Sequence, residues 1–387
     1  MRSLFFLRPA ALMLTAFIGS GCSDDPTVNP GIECPPRMDG LQCDGGRPPF
    51  DAGVFDAGRN GQVLKWGDGA LLAISGTEGV VLYDIDADQR VIVKYAKINQ
   101  CVDGTCMGVP GTTTGLVFST KRDYLYIAQS GPNQIFFFNM VLSDIVWSYP
   151  LSDLAQLSRP VLGPVDSSLY LVSATDKAFY KFDSVGQKFA QRLTAPLALS
   201  SAWSVAAGPG GLMVGSTDGG RVLAFNDPND GGPVAYDPTS SVDLIDGANQ
   251  GVGPTTCVAT QTGAFYCSAT GTGAGLWYVK AGTAPKLVVP GVAVGALAIS
   301  SLGERLWVGT GNSLRGYWIA ANPQAPYLLG TLDAGGPVFD IVSSADGQWV
   351  FASVPSADVL LKVRAADLKV MRSFKDLQQP RALAFGP

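Results

Sequence analysis

The sequence predicts an all-β fold, a seven-bladed β-propeller of four-stranded antiparallel blades closed by a C-terminal strand, and three observations predict it. A strand phrase recurs along the chain: Leu71-Leu72-Ala73-Ile74, Leu125-Tyr126-Ile127-Ala128, Leu169-Tyr170-Leu171-Val172, Leu212-Met213-Val214-Gly215, Phe265-Tyr266-Cys267-Ser268, Leu306-Trp307-Val308-Gly309 and Trp349-Val350-Phe351-Ala352. Its spacing, roughly 40 to 50 residues with short strands and glycine-rich turns, is that of propeller blades. The composition agrees: 47% hydrophobic, 15% charged, 47 Gly and 26 Pro in 387 residues suit many short strands and tight turns. Finally, the chain ends on Arg381-Ala382-Leu383-Ala384-Phe385-Gly386-Pro387, which repeats the innermost-strand phrase without a blade to follow it.

The blades are expected at 61–98, 112–150, 158–193, 203–243, 251–289, 294–332 and 337–376. Blade two shows the pattern. Gly115 to Ser119 leads through a turn at Lys121-Arg122-Asp123 into Tyr124 to Ala128; the Gly131-Pro132-Asn133 turn then leads to Ile135 to Asn139, and Ile145 to Tyr149 forms the outer strand. Inner strands that are almost continuously apolar fit sheets packed on both faces. Two segments compete for the innermost slot of blade one, Val63-Leu64-Lys65-Trp66 and the C-terminal phrase. The C-terminal phrase is the expected occupant, because it closes the ring and removes an open sheet edge. Two longer insertions, at about 99–111 and 226–250, are expected on the propeller faces as recognition elements.

Residues 1–21 read as an export signal, with Arg2 and Arg8 ahead of an apolar stretch from Ala10 to Ile18 and small residues before Cys22. That stretch is shorter than the 20 or so residues of a membrane-spanning helix. Residues 22–60 are rich in Pro, Gly and Asp, with Asp-Ala-Gly at 51–53 and again at 56–58; they bury too little to fold and are expected to form a flexible tether. Residues 61–387 form the propeller domain. Six cysteines beyond Cys22 fall in close sequential pairs, Cys34 with Cys43, Cys101 with Cys106 and Cys257 with Cys267. Three local disulfides in an oxidising compartment are the expectation, since the spacing is not that of a zinc site.

The formal charge of −5 argues against a nucleic-acid or anionic-membrane footprint. There is no histidine, which removes the commonest general base, the Ser-His and Cys-His pairs and most zinc sites. Asp84-Ile85-Asp86-Ala87-Asp88 begins like a calcium loop, but Gln89 stands where the sixth-position Gly belongs and Tyr95 where the twelfth-position Glu belongs. Asp227-Pro228-Asn229-Asp230-Gly231-Gly232 reads as turn chemistry. Gly271-Thr272-Gly273-Ala274-Gly275 opens a strand, so it offers no helix terminus to a phosphate and reads as a turn. Ligands of propellers sit where the innermost strands converge. The candidate channel or ligand residues are therefore Asp340, Arg381, Trp203 and Lys65, with Asp340 and Arg381 expected to form an ion pair between neighbouring inner strands.

The repeats resemble the seven-bladed propellers of the YVTN type. The residues that carry this are Ala384-Phe385-Gly386-Pro387, Leu125-Tyr126-Ile127-Ala128, Ala345-Asp346-Gly347 and Val81-Leu82-Tyr83-Asp84-Ile85-Asp86. Cys22 after Gly19-Ser20-Gly21 resembles the lipobox of bacterial lipoproteins, with Gly19 where that pattern usually has Leu. That resemblance implies lipidation of Cys22 and a place in the cell envelope, on the periplasmic or outer-surface side. Asp144-Ile145-Val146-Trp147-Ser148-Tyr149-Pro150 resembles the outer strand of quinoprotein propellers, but the phrase occurs once where a cofactor ring would need it repeatedly. The expected function is a non-catalytic binding or scaffolding module for a protein or cell-envelope partner. It is expected to be monomeric, without cofactor or nucleic acid, and to meet the membrane only through its lipid. The alternative is an exported lactonase- or hydrolase-like enzyme using carboxylates, with or without calcium.

Overall fold

A computed structural model describes residues 71–386 apart from 78, 86–88, 92–98, 103–104, 109–111, 122, 131–133, 141–143, 151–156, 164–167, 174–177, 184–187, 194–201, 210, 217–219, 228–232, 245–252, 272 and 376. Seven four-stranded antiparallel sheets form the blades, and a two-stranded ribbon, Asn99–Val102 with Thr105–Gly108, stands outside them. In blades two to seven the four strands follow one another in sequence from the axis outward. Blade one is the exception: its innermost strand is Leu383–Phe385, paired with Leu71–Gly76, as the closing-strand expectation required. The slot for which Val63-Leu64-Lys65-Trp66 competed is thus taken by the C-terminus.

The turn between the first and second strands is set by a hydroxyl. In blade seven Ser344 accepts the Trp349 N–H on its Oγ at 2.9 Å and the Gly347 N–H on its carbonyl at 3.0 Å. Gly347 sits at φ 68°, a backbone that a side chain would strain, which is why the phrase reads Ala-Asp-Gly. Ser300 repeats the arrangement in blade six and Thr260 in blade five.

Packing between blades explains the recurring aromatics. Tyr126 lies in a cluster with blade-three residues, Tyr170 with blade four, Tyr266 with blade six, Trp307 with blade seven and Phe351 with blade one. Each is one residue of the second strand turned toward the following blade, and all five are essentially inaccessible. Truncating any of them to alanine is expected to cost about 3–5 kcal/mol. This register corrects the repeat in two blades. Leu72-Ala73-Ile74-Ser75 and Val350-Phe351-Ala352-Ser353 occupy the places that the phrases beginning at Leu71 and Trp349 were assigned. A strand read one residue out of phase exchanges its two faces; both faces of these strands are apolar, so hydropathy alone could not fix the phase.

Two phenols also bond across to the next blade. Tyr266 donates to the Pro323 carbonyl at 2.6 Å, and Tyr170 donates to the Asp227 carboxylate. Lys181, with its side chain 5% exposed, approaches both oxygens of Asp227, itself 6% exposed, at 3.1 and 2.9 Å. Asp227, expected in solvated turn chemistry, is instead the acceptor of a buried bridge between blades three and four. Much of the expected insertion at 226–250 is likewise the blade's own outer strand, Ala235–Asp243. The Gly271 turn is a turn, closed by the Ala274 N–H on the Gly271 carbonyl at 3.1 Å.

Candidate functional site

The innermost strands leave a central channel of about 1020 Å3, with residues from all seven blades on its wall. The wall is built mainly of apolar side chains, from Ala206 and Val205 to Phe118 and Phe339, with hydroxyls such as Thr113, Ser204, Thr255, Thr256 and Thr270 among them. Two charged residues on that wall, Asp340 and Arg159, are brought together. Arg159, just ahead of the innermost strand of blade three, reaches past blade two to blades seven and one. Its Nη1 donates to Asp340 Oδ1 at 2.7 Å, and its Nη2 donates to the Leu383 carbonyl at 2.9 Å.

The path of Arg159 explains Gly115. A Cβ on Gly115 would lie 2.7 Å from the Arg159 Cα and 2.4 Å from the Pro160 Cδ, so any other residue would push the arginine off its course. Asp340 completes the arrangement. Its Oδ2 accepts the Leu383 N–H at 2.8 Å and its Oδ1 accepts the Ile341 N–H at 2.8 Å. Leu383 thereby has both channel-facing backbone groups satisfied by one cross-channel ion pair. Ser353 adds to this, accepting the Asp340 N–H at 3.1 Å and donating to the Arg381 carbonyl at 2.6 Å. Ser75 accepts the Ala382 N–H at 2.9 Å. Burial pushes the Asp340 carboxyl above its ordinary range, opposed by the Arg159 charge and by the Leu383 and Ile341 N–H groups.

The expected pairing of Asp340 with Arg381 is not formed. Asp340 opens one inner strand and Arg381 leads into its neighbour, but Arg159 takes the carboxylate, and the Arg381 guanidinium lies over the Phe339 ring at 5.6 Å. Arg159 was missed because its partner is three blades distant around the ring, and short-range strand logic considers only adjacent blades. The Arg-Pro dipeptide at Arg159-Pro160, at the head of an inner-strand phrase, was the available signal. Trp203 falls in the innermost strand of blade four, Ala202–Gly208; its side chain lies outside the described residues, as does Lys65 altogether.

Of the cysteines, Cys257 and Cys267 are joined across the first two strands of blade five, with S–S 2.07 Å. Cys101 and Cys106 are direct partners in the two-stranded ribbon; their side chains lie outside the described residues, and so do Cys22, Cys34 and Cys43 entirely. Among the described residues no three His, Cys, Asp or Glu side chains cluster as a metal site would require.

The architecture defines the chain as a seven-bladed β-propeller. No protein-family model and no curated protein matches it in sequence. Solved structures do match in fold. A candidate 6-phosphogluconolactonase of Bacteroides fragilis superposes with a TM-score of 0.65 at 10% identity, over 83% of this chain and 99% of its own. A second candidate 6-phosphogluconolactonase, from Bacteroides uniformis, gives 0.63 at 11% identity over 82% and 100%. The virginiamycin B lyase of Staphylococcus aureus gives 0.57 at 12% identity over 71% and 91%. At such identities the likeness is one of fold.

Proposed function

We propose that the protein is an envelope lipoprotein, anchored through Cys22, whose propeller is a non-catalytic binding or scaffolding module for a protein or cell-envelope partner. The observation that carries the reading is an apolar run on the rim. Tyr327, Leu328 and Leu329 on the outer strand of blade six are 70%, 46% and 43% exposed, and Met371 on the outer strand of blade seven is 47% exposed. Blades six and seven meet here, since a Cβ on Gly330 would lie 3.0 Å from Leu368 Cδ1. An apolar surface on an edge strand, with unpaired backbone groups beside it, suits capture of a partner strand or apolar face. The state of the channel supports the non-catalytic half. Asp340 accepts three N–H bonds, from Arg159, Leu383 and Ile341, so its carboxylate is committed to an ion pair and to backbone groups of the ring, a structural use of the residue.

Crosslinking and mass spectrometry of the protein from its native envelope test the reading. A stoichiometric partner crosslinked near Tyr327, and lost in a Leu329→Asp variant, is the expected result. Turnover of lactone or ester substrates by the purified protein, with no partner, would replace this reading with the hydrolase alternative. Cys22→Ala should abolish palmitate labelling and membrane association.

A further inference from the structure

We infer that the channel mouth beside Phe339 binds a small organic anion, one whose carboxylate or phosphate group is carried on an apolar or planar body. Phe339 and Arg381 lead into adjacent innermost strands at the same end, where Ser353 ties the Asp340 N–H to the Arg381 carbonyl. Phe339 lines the channel and is 44% exposed, whereas the other described phenyl rings are buried apart from the half-buried Phe385. The Arg381 guanidinium stands 5.6 Å from its ring centroid, and among the described residues no carboxylate pairs with it.

The charge balance at this mouth favours an anion. Arg159 and Asp340 cancel one another, and the carboxylate is further covered by two backbone N–H groups. Among the described residues Arg381 is left without a carboxylate partner, and Asp358 on the same face is turned to the Gln379 N–H at 2.9 Å. The Arg381 guanidinium, 5.6 Å from the Phe339 ring centroid, is planar, and its fork of N–H donors matches carboxylate and phosphate oxygens two at a time. The Phe339 ring then offers an apolar surface to the body of the same ligand, and the mainly apolar channel of about 1020 Å3 beneath has room for it. This site is separate from the rim patch that carries the scaffolding reading, so either can fail alone.

Calorimetric titration of the purified propeller with phenylphosphonate and with methylphosphonate, at low salt, tests the inference. One saturable site is expected, with phenylphosphonate binding more tightly than methylphosphonate. Arg381→Gln should weaken phenylphosphonate binding about tenfold or more. Phe339→Ala should remove the advantage of the phenyl group, and Phe339→Leu should keep part of it. Thermal melts of each variant establish that it is folded, and Arg381→Lys, which retains charge without the fork, should fall between wild type and glutamine. Absence of saturable binding to the wild type, or equal affinity in Arg381→Gln, would overturn the site. A crosslinked partner found together with no phosphonate binding would overturn the site and leave the scaffolding reading in place.

Discussion

Blade one and blade five build the same four-stranded sheet with opposite connectivity. In blade five the innermost strand, Gly253–Ala259, turns directly into Ala264–Thr270, and a disulfide from Cys257 to Cys267 fixes the pair. In blade one the innermost strand arrives from the other end of the sequence and pairs over only three residues, Leu383 with Ile74, Ala384 with Ala73 and Phe385 with Leu72. Joining the ends of so long a chain costs more entropy than closing a hairpin, and no covalent bond helps. Side chains supply the difference. Arg159 and Asp340 hold the carbonyl and N–H of Leu383 from the channel side, and Ser75 holds the N–H of Ala382. A ring therefore depends at its seam on polar contacts between blades distant in sequence, whereas an ordinary blade depends on its turn and its apolar faces.

Removing the seam should have the largest effect. Deletion of 381–387 exposes the apolar edge of Leu71–Gly76 and is expected to lower the melting temperature by about 10 °C or more; a shift of about a degree would show that the seam is dispensable. Asp340→Ala comes next, because it leaves Arg159 and the Leu383 N–H without their partner, and a loss of about 3 kcal/mol in denaturant unfolding is expected. Blade five should yield less. The double variant Cys257→Ala with Cys267→Ala opens a short loop only, so about 2 kcal/mol is expected, with the ring still closed by near-ultraviolet circular dichroism.

Acid titration separates the seam aspartate from a surface one. Burial raises the Asp340 carboxyl above its ordinary value of 3.8, so the stability tied to its titration is full below that value and is lost as pH rises through the folded one. The hydrogen bond from Arg364 lowers Asp367 to about 2, so its contribution is full above 3.8 and is lost as pH falls toward 2. Stability curves of wild type against Asp340→Asn and against Asp367→Asn should therefore have opposite slopes in acid. At neutral pH the Asp367→Asn difference should be the smallest of all, and salt should erase it, since both partners are about half exposed.

Much of the fold was legible. The strand phrases, the Ser344 and Gly347 turn chemistry and the C-terminal closing phrase are local, and each element forms for reasons contained within a few residues. The proximity of Cys257 and Cys267 was legible too, because one turn lies between them. The phase of the strands in blades one and seven was not, since Leu71 to Ile74 is apolar on both faces. Nor was the bridge of Lys181, Tyr170 and Asp227, in which a turn-forming aspartate becomes a buried acceptor.

The candidate site shows the same division. The sequence picked out Asp340 and Arg381 as charges that interrupt apolar inner strands; Asp340 lies on the channel wall, and Arg381 precedes the closing strand with its guanidinium over Phe339. It supplied the wrong partner for Asp340, because an ion pair is decided by distance in space. Arg159 lies three blades away around the ring and reaches the carboxylate only because Gly115 clears its path. By itself, then, the sequence determined what is periodic and local: the number of blades, their turns, the closing strand and the residues unfit for an apolar wall. Only the tertiary structure decided which of those charges meet. Closing the ring brings to one axis residues that the chain keeps far apart, and hydropathy carries no record of which faces which.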